Sequence, residues 1–527
     1  MISSSILKKT LLCAALALSA GTAYAADSPS VLRVVPQSDL KILDPIWTTS
    51  AITRDYGYMV YDTLFGVDEK GDPKPEMVDS FSKSEDGKDW SFKLRKDLKF
   101  SDGTPVTSTD VIASLKRWSQ RDGLGQVMFA MLDKIEAKGA DSFELTFKQP
   151  FGLVLEAFSK PSSVPPFIMP AKVAATSADT QITDNTGSGP FMLKKDEYRP
   201  GERVVFVKNP HYVPRDEAPS GTAGGKKVLV DRLEWVVLKD AQTQANALAN
   251  GEVDLIMSVP AEQYAPLKAN PAIVVSSDNA PSATVTLQLN HLIPPFNNPK
   301  IAKAALMAIA QQPLMRAGAV HKELYNTCLS IYPCGSKYAS DESLWFTGKP
   351  QFDQAKALLK EAGYDGKPIA LMYPTDLTTL NKYPPVMAAL LKQAGFNVDL
   401  QSMDWPTLQM RRAKHDTLDQ GGWSAFVTVW AGSENVNPMF FPALSGNGEK
   451  GWFGWATDSQ LEDLKSQFLA STNEADQKRL AIEIQKRVFE IGLFAPVGEY
   501  KPTVAYRKDK VQGLVKAPVS VYWNLSK

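Results

Sequence analysis

The chain has 527 residues, with 58 Lys or Arg against 58 Asp or Glu, 44% hydrophobic residues and three cysteines. Charge this balanced gives no electrostatic case for nucleic acid or an anionic membrane surface as a partner. Length and apolar content together exclude a disordered chain or one small domain and point to two or three domains with large cores.

The first residues, MISSSILKKT LLCAALALSA GTAYA, place Lys8 and Lys9 before an apolar run from Leu11 to about Leu18, and small residues end at Ala23-Tyr24-Ala25. This is the pattern of a secretory signal peptide cleaved after Ala25, and the apolar run falls short of the ~20 residues that span a bilayer. Cys13 follows Leu11-Leu12 inside that run and lacks the small residue that lipid attachment wants just before a cysteine. The leader holds two lysines and no acid, so the mature chain is an exported, soluble protein of nearly zero net charge.

Downstream, DEKGDP near Asp68 reads as a charged hairpin tip, because the alternating oxygen ligands of a calcium loop are missing. Trp90, Phe92 and Leu94 alternate with polar residues, and Leu98 and Phe100 extend this half-buried strand pattern. SDGTP then turns the chain. Thr107 is the expected N-cap of a helix with Asp110 at its third position, and Val111, Ile112, Leu115 and Trp118 form its apolar stripe. RDEAPSGTAGGKK, residues 215–227, is the loosest stretch and predicts an exposed loop. From Ala241 to Ile256 the pattern runs helix, Gly251, strand, and FDQAKALLKEAGY predicts a helix with Ala355, Leu358, Leu359 and Ala362 on one face. Ile369 to Met372, a helix carrying Val386, Leu390, Leu391 and Ala394, and the strand Phe396, Val398, Leu400 make a βαβ unit. Two amphipathic helices carrying Leu461, Leu464 and Phe468, then Leu480, Ile484 and Val488, precede a short strand in LFAPVGEY. The class is α/β.

Cys328 and Cys334 in CLSIYPC are the two cysteines of the mature chain, and in an oxidising compartment a disulfide closing a short loop is expected; a metal would need more ligands than this neighbourhood supplies. Catalytic constellations are absent from the pattern. His211, His291, His321 and His415 are scattered singly, TGSGPF lacks the G-x-S-x-G spacing, and GTAGGKK lacks the spacing and the hydroxyl of a phosphate-binding loop. Spatially paired carboxylates stay open, since sequence does not display them. No catalytic residue, cofactor or metal is assigned, and a binder is expected in preference to an enzyme.

Tyr61 to Arg117 resembles the signature region of the large solute-binding proteins of ABC transporters, the peptide/nickel-binding family. Further blocks agree in order: LDP at Leu43, GSGPF at Gly187, NPHY at Asn209, NGEVDL at Asn250, PPFNNPKIAKAALMAIA at Pro294 and DQAKALLKEAGY at Asp353. The resemblance implies a two-lobed, type II periplasmic-binding-protein-like fold with an extra domain on the N-terminal lobe. It places the N-terminal lobe at 26–55, 188–283 and 491–527, the extra domain at 56–187 and the C-terminal lobe at 284–490. It also implies a periplasmic, monomeric receptor that captures a peptide or similarly sized organic solute and delivers it to an inner-membrane ABC permease. A receptor for an opine, an oligosaccharide or a metal chelate is the alternative on the same scaffold, and a secreted hydrolase the alternative from another class.

In relatives that bind peptides, a carboxylate after a W-x-G segment holds the ligand's amino terminus, and an arginine on another strand takes its carboxylate. Here the segment is VTVWAGSENVNPMFF, so Ser433 stands in the acid's place, with Glu434 next and Asn435 and Asn437 close by. The arginine's region reads LMYPTD and offers Tyr373 and Asp376. Trp430 is expected as an aromatic wall of the pocket, with buried filler the alternative, and Glu434 as a partner for a ligand cation if its loop turns it inward, with a solvated loop acid the alternative. By the same resemblance Trp47 and Thr48, after the LDP motif, are expected at the cleft. GWFGW at Gly451 to Trp455 is a lid edge or a packed segment, and Trp405 and Trp423 are core or rim.

Overall fold

A computed structural model describes residues 30–527 apart from 278–281, 320, 376, 378 and 472, and apart from the side chains of 406 and 409. The expected leader with its cleavage point, and Asp376, lie outside the described residues. Among the described residues no helix is long and apolar enough to cross a membrane.

Two sheets carry most of the architecture. The first has seven strands in the order Phe191–Leu193, Arg203–Lys208, Arg232–Val236, Val31–Val35, Leu255–Ile256, Val504–Arg507, Ile273–Ser276. At its centre Val31–Val35 lies parallel to both neighbours, with Val34 opposite Trp235 on one side and Leu255 on the other. The second has six strands in the order Tyr325–Asn326, Phe494–Tyr500, Ala283–Leu289, Ala425–Trp430, Ile369–Pro374, Val398–Met403. Its inner strand Ala283–Leu289 is buried at every position, as expected of a strand covered on both faces. The expected βαβ unit is present: Ile369–Pro374 and Val398–Met403 run parallel and are joined by the helix Tyr383–Gln393.

A four-stranded antiparallel sheet, Val78–Lys83, Asp89–Leu94, Ser142–Phe147 and Leu132–Ala137, is built around the signature stretch. Its strand ends at Leu94, short of the expected length. Asp97 takes a left-handed turn at φ 62°, and Leu98 and Phe100 are buried instead from a separate arm whose Lys99 bridges to Pro105. The helix Ser108–Trp118 follows; the Asp110 carboxylate accepts from the Thr107 N–H at 2.8 Å and hydroxyl at 2.7 Å. Val111, Leu115 and Trp118 are fully buried and Ile112 half-buried. Arg117, on the same helix, makes a two-pronged bond to Asp44 at 3.1 and 2.8 Å with both residues buried. The signature helix and the LDP motif hold each other.

The stretch 215–227 differs from the expected exposed loop: residues 221–226 are buried. Gly221, at φ 61°, lies so close to the Val67 carbonyl that a Cβ would stand 2.2 Å from its oxygen. Lys226 is buried between Asp62 and Glu76, at 2.6 and 3.2 Å, and the Gly224 N–H donates to Glu76 at 2.6 Å. Small residues read as looseness in the sequence are here the means of close backbone approach.

Strand Phe494–Tyr500 is a second difference. It falls in the segment expected for the N-terminal lobe, yet pairs with Ala283–Leu289 in the six-stranded sheet. The chain therefore passes between the sheets at 501–503, and Val504–Arg507 joins the other sheet. The Cys328–Cys334 disulfide is formed, with Cα atoms 6.0 Å apart, and the Cys334 N–H donates to Glu499 on this same strand at 2.7 Å. Where the extra region meets the six-stranded half, backbone touches backbone: the Gly152 N–H donates to the Leu469 carbonyl at 3.2 Å, and a Cβ on Gly152 would lie 2.4 Å from the Ser471 oxygen.

Candidate functional site

A cavity of about 650 Å³ lies between the two large sheets. The seven-stranded side supplies Gln37, Arg54 and the segment Met257 to Glu262; the six-stranded side supplies Leu324, Tyr383, Val429 and Ala431 to Gly432 with Glu434; and Tyr500 to Val504, the crossing segment, lines it as well. Aromatic and aliphatic walls with a few placed polar groups are how such clefts hold small solutes.

Arg54 is the centre of the polar part. It belongs to the helix Ala51–Val60, whose positions from Ile52 onward are all buried, so a charge here needs a partner. Its neighbour Asp55 supplies one, with Nε and Nη2 bonding Asp55 Oδ1 at 3.1 and 2.9 Å. Arg54 Nη1 donates to Ser162 Oγ at 2.9 Å, and Ser162 in turn donates to Glu434 Oε1 at 3.5 Å. The other oxygen of Glu434 accepts from the Ala431 N–H at 2.9 Å, which folds the acid back over its own loop. Burial would pull the guanidinium down, but Asp55, with the Glu434 charge behind it, outweighs burial and holds it above its ordinary value. Burial raises Asp55 above its ordinary value against the attraction of Arg54, and Gln37 and Ser520 add hydrogen bonds to it. One relay thus joins a helix beside the seven-stranded sheet, a serine of the extra region and an acid of the six-stranded half.

Of the described residues expected at the site, Glu434 lines the cavity, and Trp47, Thr48, Tyr373, Trp430, Ser433, Asn435 and Asn437 do not. Strand alternation turns Val429 toward the cavity and Trp430 away from it: Trp430 is 6% exposed, donates to Thr286 Oγ1 at 2.9 Å and packs on Phe441 and Trp452. Ser433, Asn435 and Asn437 are buried under the same loop; Asn435 bonds Thr284 and the Ile331 carbonyl, and Asn437 caps the Met439 N–H. Trp47 donates to the Asp179 carbonyl at 3.4 Å and accepts from Arg121, which ties the helix entrance to the extra region, while Thr48 accepts from the Ser50 N–H within that entrance. Tyr373 is half-buried near the end of its strand, and beyond that strand Leu377, Thr379 and Tyr383 reach the cavity instead. Trp423 is fully buried and Trp455 nearly so, which makes GWFGW a packed segment.

Arg54, Gln37, Tyr383, Tyr500 and Lys501 were not singled out in the sequence. A charged Arg54-Asp55 pair inside an otherwise apolar helix was the available signal for the first. Burial pushes the Tyr500 hydroxyl up to about 12, so it faces the cavity as a neutral hydrogen-bonding group.

Residues 72–452 match the family of bacterial extracellular solute-binding proteins, family 5. The chain is 35% identical over 97% of its length, and 95% of the relative's, to a probable peptide ABC transporter periplasmic-binding protein, y4tO, of Sinorhizobium fredii. Among solved structures it resembles a dipeptide-binding protein of Pseudoalteromonas sp. SM9913 in complex with Met-Leu, at TM-score 0.77 and 20% identity over 94% of this chain and 100% of that one. It also resembles AgaA of A. tumefaciens R10 in complex with agropinic acid, at TM-score 0.76 and 23% identity over 93% and 95% of the two chains.

Proposed function

We propose, from the premise that this chain belongs to the family 5 bacterial extracellular solute-binding proteins of ABC importers, that it captures a peptide or similarly sized organic solute between its lobes. One observation carries the reading: a single cavity of about 650 Å³ is walled by both large sheets and by the segment that crosses between them. That volume falls within the ~300–1,000 Å³ of small-molecule sites. A ligand touching both walls stabilises their approach by its differential contacts, which needs no covalent step. The y4tO relative, named for peptide transport, favours a peptide ligand.

We take the lobes as 26–55 with 188–283 and the C-terminal tail beyond the crossing at 501–503, and as 284–500, with 56–187 the extra domain. Relatives are periplasmic proteins, and we place this chain there as a monomer released by cleavage after Ala25, passing its ligand to an inner-membrane permease. Glu434 is the residue of the WAGSENVNP segment that we assign to the ligand. An opine-like acid is the second reading, favoured by the burial of Ser433, where peptide binders carry the anchoring acid, and by the engagement of Glu434 with Ser162 and its own loop. The test is mass spectrometry of small molecules released on denaturing the purified protein, followed by calorimetry with the compound found. A peptide or opine returned intact supports receptor function; a ligand chemically altered on incubation overturns it.

A further inference from the structure

Among the described residues, one trio of cysteine, histidine or carboxylate donors has its ligand atoms within 4.8 Å of one another: Cys328 Sγ, Cys334 Sγ and a Glu499 carboxylate oxygen. The loop CLSIYPC supplies the two sulfurs, and strand Phe494–Tyr500 brings the third donor from 165 positions beyond Cys334. Tyr500 lines the solute cavity and its neighbour Glu499 does not, so the trio stands apart from that cavity. Bonds that do not involve the disulfide hold the backbone around it. The Cys328 N–H donates to Gln311 Oε1 at 3.1 Å, and the Cys328 carbonyl accepts from Gln311 Nε2 at 2.6 Å. The same Nε2 donates to the Pro496 carbonyl, on the strand of Glu499, at 3.0 Å, and the Cys334 N–H donates to Glu499 itself at 2.7 Å. Cys328 and Glu499 are buried and Cys334 is exposed, so the trio has one side open to solvent.

Tetrahedral zinc, with bonds of about 2.3 Å to thiolate and about 2.1 Å to carboxylate, places its donors roughly 3.6–3.8 Å apart. Once the bridge is opened, rotation of the two cysteine side chains reaches that spacing while their backbones keep the anchors above. We infer that, with this bridge reduced, Cys328, Cys334 and Glu499 form a binding site for one thiophilic divalent cation such as zinc, with water completing the coordination on the exposed Cys334 side. The reductant is a dithiol. Its thiolate attacks Cys334 Sγ, the exposed end of the bridge, and the Sγ–Sγ bond breaks to release the Cys328 thiolate. The second thiol then displaces Cys334, so that two electrons pass to the cysteines and the dithiol leaves as a cyclic disulfide. The two protons of the dithiol end on the cysteines and are released when the cation takes them as thiolates. The 328–334 loop is thus closed by a covalent bond in the oxidised chain and by a shared cation in the reduced one.

The experiment takes the tag-free mature protein, reduces it with excess dithiothreitol, desalts it without oxygen and titrates it with cobalt(II), then with zinc against a chromophoric chelator. Reduced wild type should take up one cation per chain and show thiolate-to-cobalt charge-transfer absorption, and the oxidised protein should show neither. Zinc should raise the melting temperature of the reduced protein and leave that of the oxidised protein unchanged, which separates a site of the folded chain from thiols of an unfolded one. The double Cys328→Ser, Cys334→Ser variant should lose both the absorption and the zinc-dependent melting shift. Glu499→Gln keeps an acceptor for the Cys334 N–H; it should retain the charge-transfer absorption and weaken zinc by about tenfold or more, a loss that even indirect partners of a metal produce. Reduced wild type without charge-transfer absorption, zinc that leaves its melting temperature unmoved or lowers it, or wild-type zinc affinity in Glu499→Gln overturns the inference.

Discussion

Replacing Lys226 with methionine removes the cation from a site that water does not reach. Lys226, Asp62 and Glu76 are each 2% exposed or less, and the ammonium stands 2.6 Å from one carboxylate and 3.2 Å from the other. Asp62 keeps bonds from the Thr63 N–H and the Tyr212 hydroxyl, and Glu76 keeps the Gly224 N–H, so geometry survives while charge balance does not. Breaking such a buried pair costs about 3–5 kcal/mol. The loss must depend on pH. Burial pushes Glu76 up to about 7 even with Lys226 pulling the other way. The native state therefore holds a proton that the unfolded chain releases from about 4.5 upward, and wild-type stability falls as pH rises through that window. Without Lys226 the folded value climbs further, so the penalty of the substitution grows with pH: about 3–5 kcal/mol near pH 8 and about 1–2 near pH 5.5. Urea unfolding followed by tryptophan fluorescence reads this, since the Trp523 ring lies 5.3 Å from the ammonium, and amide exchange at Gly224 reads it locally. A loss that is the same at both pH values, or below about 1 kcal/mol at the higher one, refutes the reasoning.

Trp430→Ala should lower the stability of the unliganded protein by about 3–5 kcal/mol in thermal melts, because it removes a buried ring and its bond to Thr286, while titration of the folded fraction shows ligand affinity within a few-fold. Arg54→Met should cost about 3–5 kcal/mol by leaving Asp55, 1% exposed, without its cation; the loss should shrink toward acid pH, where the buried acid takes up a proton, and denaturation at two pH values checks it. Thiol counting on the denatured, unreduced mature protein should find none, and the double Cys328→Ser, Cys334→Ser variant should lose about 2 kcal/mol in a denaturant titration, a small effect because the closed loop is short. Intact-mass measurement on exported protein should give a chain beginning at Ala26; a lipidated cysteine or a retained leader contradicts it.

Local order was legible in the sequence wherever side chains report on their own neighbourhood. The helix from Ser108, its Thr107–Asp110 start, the βαβ unit and the disulfide follow from periodicity, capping chemistry and spacing. The lobes' shared boundary was not, because LFAPVGEY looks the same whichever sheet receives it. The buried 221–226 turn was misleading for a related reason: glycine-rich sequence marks both exposed loops and close backbone contacts, and only a distant Val67 and Glu76 decide between them. Of the loop that the resemblance singled out, Ala431, Gly432 and Glu434 line the cavity, and strand alternation would have separated Val429 from Trp430 had the register been known. Arg54 and Tyr500 were hidden for different reasons: one lies inside an apolar helix far along the chain from Ser162 and Glu434, and the other reaches the cavity only because its strand ends where the chain crosses between the sheets.

The contact at Gly152 bears on how such a receptor changes its taste. Because it joins main chain to main chain, with no room for a side chain at Gly152, it is indifferent to the side chains that face the cavity. The seating of the extra region on the six-stranded half and the lining of the cavity are thus written in different alphabets. A lineage, or an engineer, can rewrite Tyr383 or Val429 in the lining while this seating stays the same, and a substitution at Gly152 would disturb the seating whatever the lining.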